Sequence, residues 1–185
     1  LRFSYFTPYW LMWFIFSMVI WRMILPYAVK IRWALPISIG VAILAGYAVD
    51  AQYYASMSRT LVFFPFFLAG YYLSKEQIDS WRTRPFKTAS VVVLGAAIAI
   101  MIKYGSVMRA EWFYGSLPYL ALDHPEWTAG IYRIAAYAAS VLIGGAIMIL
   151  MTERYLPYFS VLGRNTLYAY LLHGFIVKGL IATGF

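Results

Sequence analysis

Apolar residues run along this chain in long unbroken stretches separated by short polar ones. Crossing a bilayer as a helix takes about 20 mostly apolar residues, or about 17 at the short end. Stretches at 8–28, 34–49, 60–73, 86–104, 129–151 and 166–185 approach that requirement, the third only if Arg59 and Ser74 lie at its ends. Their continuity matters, because a membrane β-barrel would alternate apolar and polar positions with a period of two. The pattern predicts an all-α fold, a polytopic transmembrane helical bundle of about six spans.

Polar residues between the stretches give an orientation. If the spans alternate, one side collects Lys30, Arg32, Lys75, Arg82, Arg84, Lys87, Arg154 and Arg164. The other holds Arg2, Arg59, Lys103, Arg109 and Arg133, together with Asp50, Glu111, Asp123 and Glu126. Short loops rich in Lys and Arg stay in the cytoplasm, so the first side is the cytoplasmic one and Arg59 heads its span at the external mouth. The longest connection, 105–128, is too short to span and is crowded with Trp112, Phe113, Tyr114, Tyr119 and Trp127 around Pro118 and Pro125. That composition predicts an interfacial or re-entrant external segment, either a shelf for a substrate or a belt that only anchors helices.

Composition sharpens the membrane reading. The 185 residues are 63% hydrophobic and 20% aromatic, with 12% charged and a mean hydropathy of +0.71, far from the roughly half-apolar usage of soluble domains. A net charge of +8 then reflects loop asymmetry, and no nucleic-acid partner is expected. The absence of cysteine removes disulfides, thiol nucleophiles and thiolate metal sites. No internal repeat, low-complexity tract or soluble domain is visible, so residues 1–185 read as one integral membrane domain. The chain opens on Leu1 and its last apolar run still continues at Phe185, which suggests a piece incomplete at both ends. Nor is there a cleavable signal peptide in the first apolar run, which lacks a small-residue cleavage site.

Charges inside hydrocarbon cost about 2.5–3.5 kcal/mol on insertion scales, which makes each one a functional candidate. Arg22, in "IWRMILP", either snorkels toward the headgroups or binds an anionic group. Arg59 heads "RTLVFFPFFLAGYYL", where Pro65 and Gly70 predict a bend, and a charge beside a bent helix lines a cavity or anchors at the interface. His173 shares a helical face with Thr166 and Tyr170, a polar stripe on an apolar helix. The plain alternative is a neutral histidine hydrogen-bonded to that tyrosine. Asn165 is placed to cap the same helix. Ala136, Ser140 and Gly144, four apart, form a small-residue seam suited to close helix packing. Local signatures of serine hydrolases, zinc proteases and P-loop enzymes are missing, and "DHPE" at 123–126 reads as an exposed turn, so no metal is expected.

The segments "PYWLMWFIFSMVIWRMILP", "SRTLVFFPFFLAGYYL" and "LGRNTLYAYLLHGFIV" resemble, in order, parts of the acyltransferase 3 family of integral membrane acyltransferases, in the branch of fucose 4-O-acetylase-like proteins. The second and third segments are the specific ones. The resemblance implies a ten-helix core, of which this chain would hold helices four to nine, in a bacterial plasma membrane. It also implies transfer of an acyl group, acetyl foremost, from cytoplasmic acetyl-CoA to a hydroxyl of an extracytoplasmic glycan or lipid-linked saccharide. The family's first-helix histidine would lie in helices missing from this chain, and the chain alone would then be inactive. On the motifs present, Arg59 and His173 become the candidate catalytic residues, with Arg22, Tyr170 and Asn165 as candidates for substrate binding. A second reading uses the same features for export of a polysaccharide or lipid-linked sugar without acyl transfer.

Overall fold

The structure, a computed structural model, describes residues 12–48, 57–105, 110–124 and 126–151, and from there on residues 163, 166, 170, 172, 173, 176, 177, 179, 180 and 183. The chain divides into two compact units, Leu1–Met151 and Thr152–Phe185. Every described element of the first unit is helical: α1 Met12–Ala28, α2 Ala34–Ala45, α3 Met57–Tyr72, α4 Lys75–Trp81, α5 Arg84–Tyr104, α6 Glu111–Tyr114, a 3-10 turn Tyr119–Leu122, and α7 Ala129–Leu150.

Two of these helices are long and apolar enough to cross a membrane. At 21 and 22 residues, α5 and α7 extend about 31–33 Å at 1.5 Å per residue, against a hydrocarbon core of about 30 Å. Only 6% and 11% of their apolar windows are buried. A core helix of a soluble protein would be mostly covered, whereas α5 presents Val91, Val92, Ile98 and Ile102 outward, the exposure of a helix long and apolar enough to cross a bilayer. By contrast α1, α2 and α3 are apolar but shorter, so among the described residues two of the six predicted crossings are matched by helices of spanning length, and the sixth, 166–185, falls largely outside those residues.

Packing follows the placement of small and polar residues. α3 lies against both α1 and α2, while α5 lies against α7. Ala28, Ala34 and Leu68 form one core, closed by Leu25, Val29, Leu35 and Phe64 where α1 turns into α2. α3 continues through Pro65 to Tyr72 as one helix. Proline lacks the N–H that would reach the carbonyl four residues back, and the neighbouring Val62 carbonyl accepts a 2.6 Å hydrogen bond from the Tyr137 hydroxyl of α7. The short α4 has no buried residue and owes its start to a capping box. The Gln77 amide N–H donates to Ser74 Oγ, and the Ser74 N–H donates to Gln77 Oε1. Of the seam expected at Ala136, Ser140 and Gly144, the last is not closely packed among the described residues, since a Cβ added to Gly144 would meet nothing within 4 Å.

Candidate functional site

The polar residues of α1 and α3 meet along one seam. Ser17 and Trp21 are one turn apart on α1 and both are buried, because their partner on α3, Thr60, is polar too. The Ser17 and Thr60 hydroxyls lie 2.7 Å apart and share a hydrogen bond, and Trp21 Nε1–H donates to the Thr60 carbonyl at 2.8 Å. Every polar atom buried here therefore finds a partner, as low-dielectric surroundings require.

Arg59, half-buried beside Thr60, sets its guanidinium 5.1 Å from the centre of the Trp13 ring, within cation–π range. Phe63 meets Trp13, and Phe67 meets Trp21, as tilted pairs at 5.6 and 5.4 Å. Arg59 thus lies against an aromatic wall. Arg22 follows Trp21 but is exposed, so the buried part of the seam does not include it.

The Thr152–Phe185 unit places the other candidates. Tyr170 and His173 are helical there, with rings 5.6 Å apart. His173 is exposed and Tyr170 half-buried. The Thr166 hydroxyl donates to the Gly163 carbonyl at 2.7 Å. Asn165 and its capping role lie outside the described residues.

A second cluster is centred on a residue that sequence reasoning groups with the loop charges. Arg133 sits one turn inside α7 and is 2% exposed. Its guanidinium donates a 2.6 Å hydrogen bond to the Trp112 carbonyl and lies 5.7 and 5.5 Å from the Trp112 and Tyr119 rings, which stack on each other at 5.7 Å. Its Nε is buried with no hydrogen-bond partner, and among the described residues no carboxylate pairs with it. The rings and one carbonyl compensate the charge.

These contacts turn the 110–128 segment into a fitted cap. The Tyr119 N–H donates to the Gly46 carbonyl at 2.8 Å and its hydroxyl to the Ile43 carbonyl at 3.0 Å. The Tyr47 hydroxyl donates to the Trp127 carbonyl at 2.8 Å and accepts from the Gly130 N–H at 3.2 Å. Ser58 Oγ–H donates to the Gly115 carbonyl at 2.9 Å. Burial pushes the Tyr119 phenol above its usual pKa, against the opposing pull of the Arg133 guanidinium. In the "DHPE" turn, His124 Nδ1 lies 3.7 Å from a Glu126 oxygen, both side chains well exposed. Among the described residues no group of three potential ligands could hold a metal ion.

No family model, curated protein or solved structure matches this chain significantly. The site therefore rests on its own chemistry: a half-buried cation beside a satisfied polar seam, and a buried cation that organises a cap. Arg133 carries a usable signal in the sequence, since it stands inside a 22-residue apolar helix, where an ionisable group is a candidate by default.

Proposed function

We propose that the protein is a membrane O-acyltransferase, moving an acyl group, acetyl foremost, from a cytoplasmic acyl-CoA to a hydroxyl of an extracytoplasmic glycan. One observation carries this reading. The first two segments that resemble the acyltransferase 3 family lie far apart in the chain, yet from Trp13 onward they pack on each other through the Ser17, Trp21 and Thr60 hydrogen bonds, with Arg59 on the same seam. A resemblance arising from apolar composition alone would give no reason for its polar residues to meet.

In this reading Arg59 orients the acceptor or the negative charge that develops on the carbonyl oxygen under attack, which is the largest single task in acyl transfer. The Trp13 ring lies 5.1 Å from the guanidinium and helps to orient it, which reduces the reorganisation needed. Arg22 is exposed on α1, and Lys30 and Arg32 follow in the adjoining turn. These cations fit the phosphates of a coenzyme A donor, which supplies the activated thioester. The general base is not assigned to a residue of this chain. His173 remains the second catalytic candidate, with Tyr170 beside it for substrate binding.

The test follows label from radioactive acetyl-CoA, supplied to membranes containing the full-length protein, into the envelope glycan fraction. Label that appears with the wild type and falls by about a hundredfold in Arg59→Ala, the size of effect of losing one oxyanion donor, at unchanged protein level, is the expected result. No label with any acceptor fraction, and glycan moved across the membrane with its mass unchanged, would replace this reading with export.

A further inference from the structure

We infer that a groove between α3, α4 and α7 holds one acyl tail of an anionic phospholipid, with the headgroup on a basic rim. The groove encloses about 640 Å³, inside the range of roughly 300–1,000 Å³ usual for ligand sites. Its walls include Phe66, Leu73, Ile78, Trp81, Val141 and Met148. Three glycines keep it open: a Cβ added at Gly70, Gly144 or Gly145 would meet nothing within 4 Å.

Two of the lining polar groups, on Ser140 and Gln77, are engaged within the protein, and the walls are otherwise mostly apolar. The Ser140 hydroxyl donates to the Ala136 carbonyl of its own helix at 2.8 Å, and Gln77 Oε1 accepts from the Ser74 N–H. A sugar or a nucleotide brings hydroxyls and phosphates that would find few partners there, at a desolvation cost. An acetyl group would leave most of the volume empty. A hydrocarbon tail satisfies the walls without a polar handle.

The rim supplies the second half of the match. Lining residues Leu73, Gln77 and Trp81 lie within three positions in the chain of the exposed Lys75 and Arg84, with the half-buried Arg82, which donates to the Met148 carbonyl at 3.2 Å, between them. Acidic residues on the same elements are Glu76 and Asp79, and Asp79 is paired with Arg82 at 3.3 Å. The excess of Lys and Arg marks this end as cytoplasmic, where the leaflet is rich in anionic lipid and each basic residue near the surface contributes attraction. Trp81 at the mouth suits the headgroup level. The inference needs the chain to span a bilayer and does not need it to transfer acyl groups.

The experiment measures lipid retained by the full chain, purified in mild detergent from membranes containing phosphatidylglycerol and phosphatidylethanolamine, by native mass spectrometry. The wild type should keep one phosphatidylglycerol per chain. The Gly70→Leu, Gly144→Leu double variant fills the groove and should lose it. Lys75→Gln and Arg84→Gln should each weaken the preference for phosphatidylglycerol by about fivefold, the attraction expected of one basic residue at an anionic surface. Retention unchanged in the filled variant, or no preference for the anionic lipid in the wild type, would overturn the inference. If the filled variant does not fold, a photo-crosslinking residue in place of Gly145 decides in an otherwise wild-type chain. A phospholipid adduct supports the site, whereas an adduct with a second copy or with the chain itself, or none, overturns it.

Discussion

At the end of the first unit where α2 stops and α7 starts, glycine marks contact. A Cβ on Gly46 would fall on the Tyr119 ring, and one on Gly115, whose φ is +62°, would come within 2.8 Å of Val62 Cγ1. At the other end of the same helices, glycine marks space, because Gly70, Gly144 and Gly145 have open room where a side chain would go. Charge divides the same way. Arg133 is enclosed by rings in the cap, while Lys75, Arg84 and Lys87 stand exposed in the first turns of α4 and α5. The cap is thus built by fit and the groove by omission, and the same residue type serves opposite ends according to its surroundings.

Substituting those glycines separates the two ends. The largest effect belongs to Gly46→Ala, where the methyl must displace Tyr119 and disturb its bonds to α2, for a loss of about 1–3 kcal/mol, measurable as a fall in unfolding midpoint in detergent. Gly144→Ala should act in the opposite direction, adding up to about 1 kcal/mol, because alanine favours a helix over glycine and its methyl meets no neighbour. A loss of similar size in both variants would abolish the distinction. The smallest effect is that of pH on the cap. The Tyr119 phenol has a raised pKa in the folded protein, so both states stay protonated below the ordinary tyrosine value of about 10. Above that value the unfolded chain releases the proton first, and stability should fall as pH rises through the alkaline range. Tyr119→Phe should flatten that slope, read by tryptophan fluorescence against pH.

Long apolar runs are legible in the amino-acid sequence itself. Stretches at 86–104 and 129–151 reappear as α5 and α7 within two residues at each end, since a continuous apolar helix depends little on its neighbours. The six-span bundle is a finer statement than the observed helix lengths carry. α4 escapes the same reading because it has no apolar run, although Ser74 and Gln77 at capping-box spacing announce its start. At the site, the sequence marks Arg59 by its position before an apolar helix but not its seat on Trp13, which comes from α1. Arg133 is marked by its place inside an apolar helix, but its surroundings are hidden for a stronger reason. Its burial depends on Trp112 and Tyr119 folding back from 21 and 14 positions earlier in the chain, and no local pattern encodes that return.

The bond between the Tyr137 hydroxyl and the Val62 carbonyl has a mechanical consequence. It joins α7 to α3 near the middle of both, one position from the carbonyl that Pro65 leaves vacant, and the Phe66 ring lies 5.1 Å from the Tyr137 ring beside it. Sliding the helices past each other would break this bond on the buried Val62 and leave its carbonyl to find another partner. Pivoting them about it would not, so the bond acts as a pin that fixes register while leaving angle free.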